Sequence, residues 1–225
     1  MRNVTNTLYA MDEPLPSHAL RAQFGEIDIY LFDQVLRGRF DRRWRILDAG
    51  CGDGRNLIYF LQNGFECFAI DVDPQAIYGV RKLAAKLAPA LPQEHFQVGD
   101  LAHLPWGNGA MDAVISSAVL HFVDDEAHFA VLMQEMWRVL APDGLFFGRL
   151  ASNIGLEHEV GAARRRVRIP DGSDRFVVDE AMLREWTDRL GGHMIDPLKT
   201  TNVEQQRAMT TWCVVKDTVK KAAGT

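Results

Sequence analysis

The sequence has few cysteines, and their positions fit neither a disulfide framework nor a metal site. Cys51, Cys67 and Cys213 are scattered over 225 residues and lack Cys-x-x-Cys spacing. Secreted small proteins are stabilised by many disulfides, whereas proteins of reducing compartments are not. We therefore expect a cytoplasmic protein without a structural metal.

Long apolar runs and an excess of positive charge are also missing. No stretch approaches the roughly 20 apolar residues that a membrane helix needs, and residues 1–20 do not resemble a signal peptide. Acidic residues outnumber basic ones by 30 to 25, so no overall positive field exists to hold a phosphate backbone. We expect partners to include neither membrane nor nucleic acid, and the protein to be a monomer or homodimer.

Short apolar runs alternate with helical-period segments from Arg45 to about Leu150. This alternation is typical of repeated strand–helix units that form a parallel sheet. With 225 residues and 47% hydrophobic content, one domain is the default. We predict a doubly wound, Rossmann-like α/β fold with a mostly parallel seven-stranded sheet, an antiparallel edge hairpin and helices on both faces.

The single domain, residues 1–225, divides into segments of different character. Residues 1–40 form an N-terminal cap segment, in which the amphipathic stretch Phe24 to Phe40 predicts a helix. Residues 45–150 form the core, where the turn Pro142-Asp143-Gly144 precedes a fifth strand from Leu145 to Leu150. Residues 151–178, polar and rich in arginine, predict a surface insertion that contains a hairpin.

The stretch from Ile46 to Asn56, Ile-Leu-Asp-Ala-Gly-Cys-Gly-Asp-Gly-Arg-Asn, leads from a strand into a glycine-rich turn. Bare backbone lets a ligand approach closely, but the spacing is Gly-x-Gly-x-Gly and not the dinucleotide pattern Gly-x-Gly-x-x-Gly. Asp48 and Asp53 would repel a pyrophosphate at this turn. S-adenosylmethionine contains no phosphate and carries an ammonium and a sulfonium, so the charge of the turn favours it.

Asp71 ends the second strand about 17 residues after Gly54. A carboxylate at this place in a nucleoside-binding α/β domain can accept hydrogen bonds from both ribose hydroxyls. The alternative role, capping the next helix, already belongs to Asp73, which precedes Pro74. We therefore assign Asp71 to the ribose.

Together with later motifs, these residues resemble the class I S-adenosylmethionine-dependent methyltransferases. The resemblance covers roughly residues 45–150, and its motifs occur in the family's order and spacing. They are Asp48-Ala49-Gly50-Cys51-Gly52-Asp53-Gly54, Ile70-Asp71-Val72-Asp73, Gly99-Asp100-Leu101 with Leu104-Pro105, Met111-Asp112-Ala113-Val114 and Leu140-Ala141-Pro142-Asp143-Gly144.

The resemblance implies S-adenosylmethionine as cofactor and places its parts. Asp100 and Leu101 would hold the adenine, Val72 would cover the base, and Ser116 would contribute backbone near the sulfonium. Asp100 has the alternative role of capping a turn, and Val72 that of a core residue. The first loop would hold the methionine part with Asp48, Ala49, Gly50, Cys51, Gly52, Gly54 and Asn56.

Two residues are candidates for the acceptor side. His121, just past the fourth strand, would act as a general base or form a wall of the pocket. Tyr30 lies in the N-terminal segment, which covers the cofactor in many similar enzymes, and would contact substrate. The run Arg164 to Arg168 is either a site for an anionic substrate or a solvated face.

The sequence favours a small-molecule acceptor. Ser116-Ser117-Ala118-Val119 lacks the Asp/Asn/Ser-Pro-Pro-aromatic motif of methyltransferases that modify amines in DNA. Gly52 to Asn56, followed by Gly64, is similar to the tellurite-resistance methyltransferases, whose substrates include chalcogen and thiol compounds. Two alternatives stay open: an NAD-linked Rossmann oxidoreductase, and a domain that binds S-adenosylmethionine without catalysis.

Overall fold

The computed structural model describes residues 17–158 and 165–218, which contain six α-helices and ten strands. The helices are α1 (Ser17–Phe24), α2 (Ile29–Leu36), α3 (Ile58–Gln62), α4 (Pro74–Leu87), α5 (Glu126–Val139) and α6 (Glu180–Leu190). The strands are β1 (Arg45–Ala49), β2 (Glu66–Asp71), β3 (Phe96–Val98), β4 (Met111–Ser117), β5 (Leu140–Ser152), β6 (Arg166–Arg168), β7 (Asp174–Phe176), β8 (Gly192–Met194), β9 (Lys199–Val203) and β10 (Arg207–Lys216).

The central sheet has the order β3-β2-β1-β4-β5-β10-β8, and β9 pairs with the same edge of β10 as β8 does. Strands β1 to β5 run parallel, while β8, β9 and β10 pair antiparallel. The strand order reverses between β1 and β4, where ligands bind in open α/β sheets. The predicted mostly parallel sheet with an antiparallel edge is confirmed, but the sheet has eight strands and not the predicted seven, because β9 adds a strand beside β10.

Helices cover both faces of the sheet, which explains why the central strands are apolar along their whole length. On β1, Ile46 packs with α3 and α4 on one face, and Leu47 packs with α5 and α6 on the other. Both side chains are fully buried. The doubly wound α/β prediction is thereby confirmed.

The N-terminal segment differs from the predicted single helix between Phe24 and Phe40. The structure has two short helices separated at Gly25, which adopts a left-handed φ of 63°. A Cβ at Gly25 would lie 2.4 Å from Cδ1 of Ile58, so the close approach to α3 requires glycine. Asp28 then caps α2 by accepting from the amides of Tyr30 and Leu31.

Strand β5 also starts earlier than predicted. It begins at Leu140, and the predicted turn is instead a kink inside the strand, where Asp143 has a left-handed φ of 61°. The pairing with β4 shifts register at this point, between Met111 and Ala113. A bulge of this kind re-aims the strand without ending it.

Strands β6 and β7 form a separate antiparallel hairpin within the region predicted as an insertion. Arg165 and Arg166 connect this hairpin to the central domain, as described below. Within the two described ranges, no helix combines the length and apolarity required to traverse a bilayer.

Candidate active site

The glycine loop after β1 is shaped by two backbone requirements. The amides of Gly50 and Cys51 donate to the carbonyl of Ile70, at 2.9 and 3.2 Å, which turns the chain sharply beside β2. Gly50 has a φ of 79°, and a Cβ there would lie 2.5 Å from Cγ2 of Val119. A Cβ on Gly52 would meet nothing within 4 Å, so its backbone borders open space.

That open space is a cavity of about 620 Å³, within the size range of small-molecule sites. Its walls are the loops after the carboxyl ends of β1, β2, β3 and β4, together with α5. The lining residues are Gly50, Cys51, Gly52, Asp53, Arg55, Asn56, Asp71, Val72, Asp100, Leu101, Ser117, Ala118, Val119, Phe122, Val123, His128 and Leu132. Eight of the residues predicted for the cofactor are among them.

Asp71 joins the glycine loop to the end of β2. Its Oδ2 accepts from the amide of Gly52 at 2.9 Å, and its Oδ1 accepts from the amide of Asp73 at 3.0 Å. A carboxylate has about four acceptor positions, so each oxygen retains capacity for a ligand hydroxyl. Asp71 therefore fixes the loop and faces the cavity at once.

The far end of the cavity combines apolar surface with a carboxylate. Val72 is 68% exposed although it is apolar, and Leu101 is buried beside it in the wall. Asp100 accepts from the amide of Ala102 at 2.9 Å, the turn-capping role considered as its alternative. Its second oxygen is not used in this turn. An exposed valine and a carboxylate in the same wall fit a flat base with an exocyclic amine.

Asp48 lies behind the cavity wall and does not line it. Its side chain is 1% exposed, and Oδ2 has no hydrogen-bond partner among the described residues. The pKa of Asp48 is raised to about 7: burial raises it most, Arg55 lowers it, and the nearby carboxylates Asp71 and Asp53 raise it. A buried, unpartnered carboxylate beside the glycine loop favours a cation there.

Three other predicted cofactor residues also lie outside the wall. Ala49 packs into the apolar core and is fully buried. Gly54 lies against α4, where a Cβ would be 2.9 Å from Cγ2 of Val80. Ser116 is fully buried, and the next residue, Ser117, lines the cavity, because successive strand residues point to opposite faces. These three residues and Asp48 therefore lie behind the lining of the cavity, and their contact with the cofactor stays a prediction.

A buried polar network beside the cavity was not predicted. Asp28, 4% exposed, accepts from the hydroxyl of Ser117 at 3.2 Å and from Nη1 of Arg149 at 3.1 Å. Its amide donates to Oδ1 of Asn56 at 3.0 Å, and Arg55 lies within 3.9 Å. The one available signal was Arg149 itself, a charge inside the apolar run of β5.

The two residues predicted for the acceptor lie around a second cavity. His121 lines it and is 6% exposed; burial first, and then Arg175 and Arg149, lower its pKa to about 4. Tyr30 supports the wall, because its hydroxyl bonds to that of Thr201 and its ring lies 5.2 Å from the Arg149 guanidinium. The cavity shares Ala118 with the first one.

The arginine run is mainly structural where the structure describes it. Arg165 pairs with Glu126 at 3.0 Å and with Asp179 at 2.6 Å. Arg166 donates to the carbonyls of Phe122 and Val123, which belong to the first cavity's wall. Arg164 lies outside the described residues.

Comparison with known proteins agrees with this geometry. The methyltransferase domain family matches residues 47–148. The chain is 30% identical over 181 residues to the malonyl-[acyl-carrier protein] O-methyltransferase of Enterobacter lignolyticus, covering 75% of this chain and 67% of that protein. It is 32% identical over 103 residues to the uncharacterized methyltransferase YodH of Bacillus subtilis, covering 46% of this chain but only 41% of that relative.

Among solved structures, the 1,6-didemethyltoxoflavin-N1-methyltransferase of Burkholderia thailandensis superposes with a TM-score of 0.64. The identity is 18%, with 90% of this chain and 86% of that chain covered, so this likeness concerns the fold alone. Fold and cavity together define a methyltransferase domain. The chain belongs to the class I S-adenosylmethionine-dependent methyltransferases, as the motifs predicted.

Proposed function

We propose that the protein transfers the methyl group of S-adenosylmethionine to a small-molecule acceptor. The observation that carries this proposal is the charge of the first cavity. Asp53, Asp71 and Asp100 line it, Asp48 is buried behind its loop, and Arg55 is the only arginine among its lining residues. An acidic cavity with exposed backbone suits a cationic nucleoside without phosphate.

Each end of the cavity has a role in this proposal. The backbone of Gly50 and Gly52 borders the methionine part, and the Asp48 charge favours its ammonium. Asp71 accepts from the ribose hydroxyls, while Val72 and Asp100 cover and bind the base. Cys51, Asn56 and Leu101 complete the walls. Ala49, Gly54 and Ser116 hold the loop and strand ends from behind.

The chain's own contribution to the reaction is positioning. When bound, S-adenosylmethionine would supply an electrophilic methyl group to the acceptor. Phe122, Val123 and Leu132 contribute apolar surface to the wall of the first cavity. Holding two reactants in line can contribute roughly 7 to 11 kcal/mol.

His121 is the proposed proton acceptor for acceptors that lose a proton. Its Nδ1 is buried without a partner among the described residues, and its low pKa keeps the imidazole neutral at pH 7. A base of low pKa is weak, so the acceptors favoured are those that react with little help. Undiminished turnover of His121→Ala, with unaltered cofactor affinity, would remove this role and leave His121 as a pocket wall.

The alternatives differ in what they require of the loop. An NAD-linked oxidoreductase needs a pyrophosphate near the start of the following helix, but α3 has five residues and begins at Ile58, beyond the acidic loop. A domain that only binds S-adenosylmethionine would have the same first cavity. Turnover is therefore the discriminating property.

The experiment follows label from methyl-labelled S-adenosylmethionine into a cell extract divided by ultrafiltration. We expect label in the small-molecule fraction with the wild-type protein and little with Asp71→Ala. Label confined to macromolecules would contradict the small-molecule proposal. Binding of the cofactor without any label transfer would favour the non-catalytic alternative.

A further inference from the structure

The second cavity has about 300 Å³ and shares the lining residue Ala118 with the first. Ala118 has a left-handed φ of 63°, which is uncommon for a residue with a side chain. Its amide donates to the carbonyl of Arg149 at 2.7 Å, which holds the strained residue in place. Strain retained at a residue that lines two cavities is typical of functional sites.

The charge of this cavity is opposite to that of the first. Arg149, Arg175 and Arg207 line it, against the single acid Asp171. Arg149 is already paired with the buried Asp28. Among ion pairs within residues 17–158 and 165–218, neither Arg175 nor Arg207 takes part.

Two buried polar atoms in the same walls also lack partners in the described part of the chain. They are Nδ1 of His121, a residue that is only 6% exposed, and Nε of Arg149. Buried polar groups are nearly always hydrogen-bonded, so two unpartnered ones on residues of the same cavity wall favour a polar ligand there. His121 stays neutral here and adds no charge of its own.

We infer that this second cavity binds the methyl acceptor, and that the acceptor is a small molecule carrying an oxyanion, either a carboxylate or a phosphate. Arg175 and Arg207 hold the oxyanion, because a guanidinium presents a planar fork of donors that matches such groups. The reactive atom then lies toward Ala118. This inference rests on the proposed function and specifies its substrate class.

The test is calorimetric binding of three matched probes to the full chain saturated with S-adenosylhomocysteine. The probes are benzoate, phenyl phosphate and benzamide, which share a ring and differ in charge. We expect one of the two anions to bind roughly tenfold more tightly than neutral benzamide or better, and the tighter one identifies the oxyanion.

The variants are Arg175→Gln, Arg207→Gln and their combination, with Arg168→Gln as the control. Arg168 lies on the same hairpin, does not line the cavity and pairs with Asp174 at 3.7 Å. The double variant should lose the preference for anions, whereas the control should keep it. Melting temperature and S-adenosylhomocysteine affinity report whether each variant remains folded.

Equal binding of anions and benzamide, binding of none of the probes, or a preference that survives in the double variant would each overturn the inference. The proposed function fails separately, if the wild-type protein does not bind S-adenosylhomocysteine at all.

Discussion

The two cavities that share Ala118 differ in charge and in how the chain builds them. The first is acidic, and its walls follow the ends of successive strands, so they belong to short contiguous motifs. The second is basic, and its walls come from the end of β4, from β5, the hairpin, β9 and β10. The first cavity, which we propose for the cofactor, is therefore encoded locally, whereas the second, which we propose for the acceptor, depends on tertiary structure.

The largest expected effect is loss of cofactor binding in Gly50→Ala. The new Cβ would lie 2.5 Å from Val119 at a left-handed φ, so the loop must move. Overpacking and backbone strain together predict about a hundredfold weaker binding of S-adenosylhomocysteine in calorimetry. Gly38→Ala is the control, with a φ of 69° and nothing within 4 Å. Equal losses in both variants would contradict a specific close approach at Gly50.

Asp71→Ala should weaken cofactor binding roughly 10- to 100-fold, since a charge-assisted hydrogen bond contributes about 1.5 to 3 kcal/mol. Asp73→Ala is matched to it, because Asp73 caps α4 and does not line the cavity. That variant should lose about 1 kcal/mol of stability in urea unfolding and keep its cofactor affinity. Unchanged affinity in Asp71→Ala would rule out the ribose role.

Cofactor binding should tighten as pH rises, because the raised pKa of Asp48, about 7, leaves the empty site partly protonated. The ammonium of the bound cofactor favours the ionised form of Asp48, so binding releases a proton from this carboxyl group. The expected gain in S-adenosylhomocysteine affinity between pH 6 and 8 is roughly tenfold. Asp48→Asn should flatten this dependence, and an unchanged slope in that variant would exclude Asp48 as its source.

The smallest effect concerns the electrostatics of the second cavity. The His121 imidazole should show no titration near its ordinary pKa of 6.5, because burial, Arg175 and Arg149 lower it to about 4. Removing one cation in Arg175→Gln should raise that pKa by roughly half a unit. An NMR titration of the imidazole at acid pH measures the His121 pKa in the wild-type protein and in the variant. A wild-type midpoint near 6.5 would show that His121 is neither buried nor beside these cations.

Much of the fold was predictable because its signals are local. Asp73 before Pro74 caps α4 as predicted, since a cap needs only neighbouring residues. The break at Gly25 was not predictable, because it depends on contact with Ile58, which is distant in sequence. Ser117, and not the predicted Ser116, lines the first cavity, because successive strand side chains point to opposite faces and a shift of one residue reverses the face.

The acceptor side illustrates the limit of sequence reasoning. Asp28 and Arg149 form an ion pair although 121 positions separate them. Arg207 and Arg175 line the same cavity only because β10 and the hairpin pack together in the fold. No pattern of spacing links such residues. The run Arg164 to Arg168 was considered as a site for an anionic substrate. In the structure, Arg165 pairs with two carboxylates and Arg166 donates to backbone carbonyls.

The most direct test of the central claim is a pair of calorimetric titrations of the unmodified chain, one with S-adenosylhomocysteine and one with NAD. The acidic walls and exposed glycine backbone predict saturable binding of S-adenosylhomocysteine and no measurable heat from NAD. Micromolar binding of the dinucleotide, with none of the sulfur nucleoside, would contradict the account.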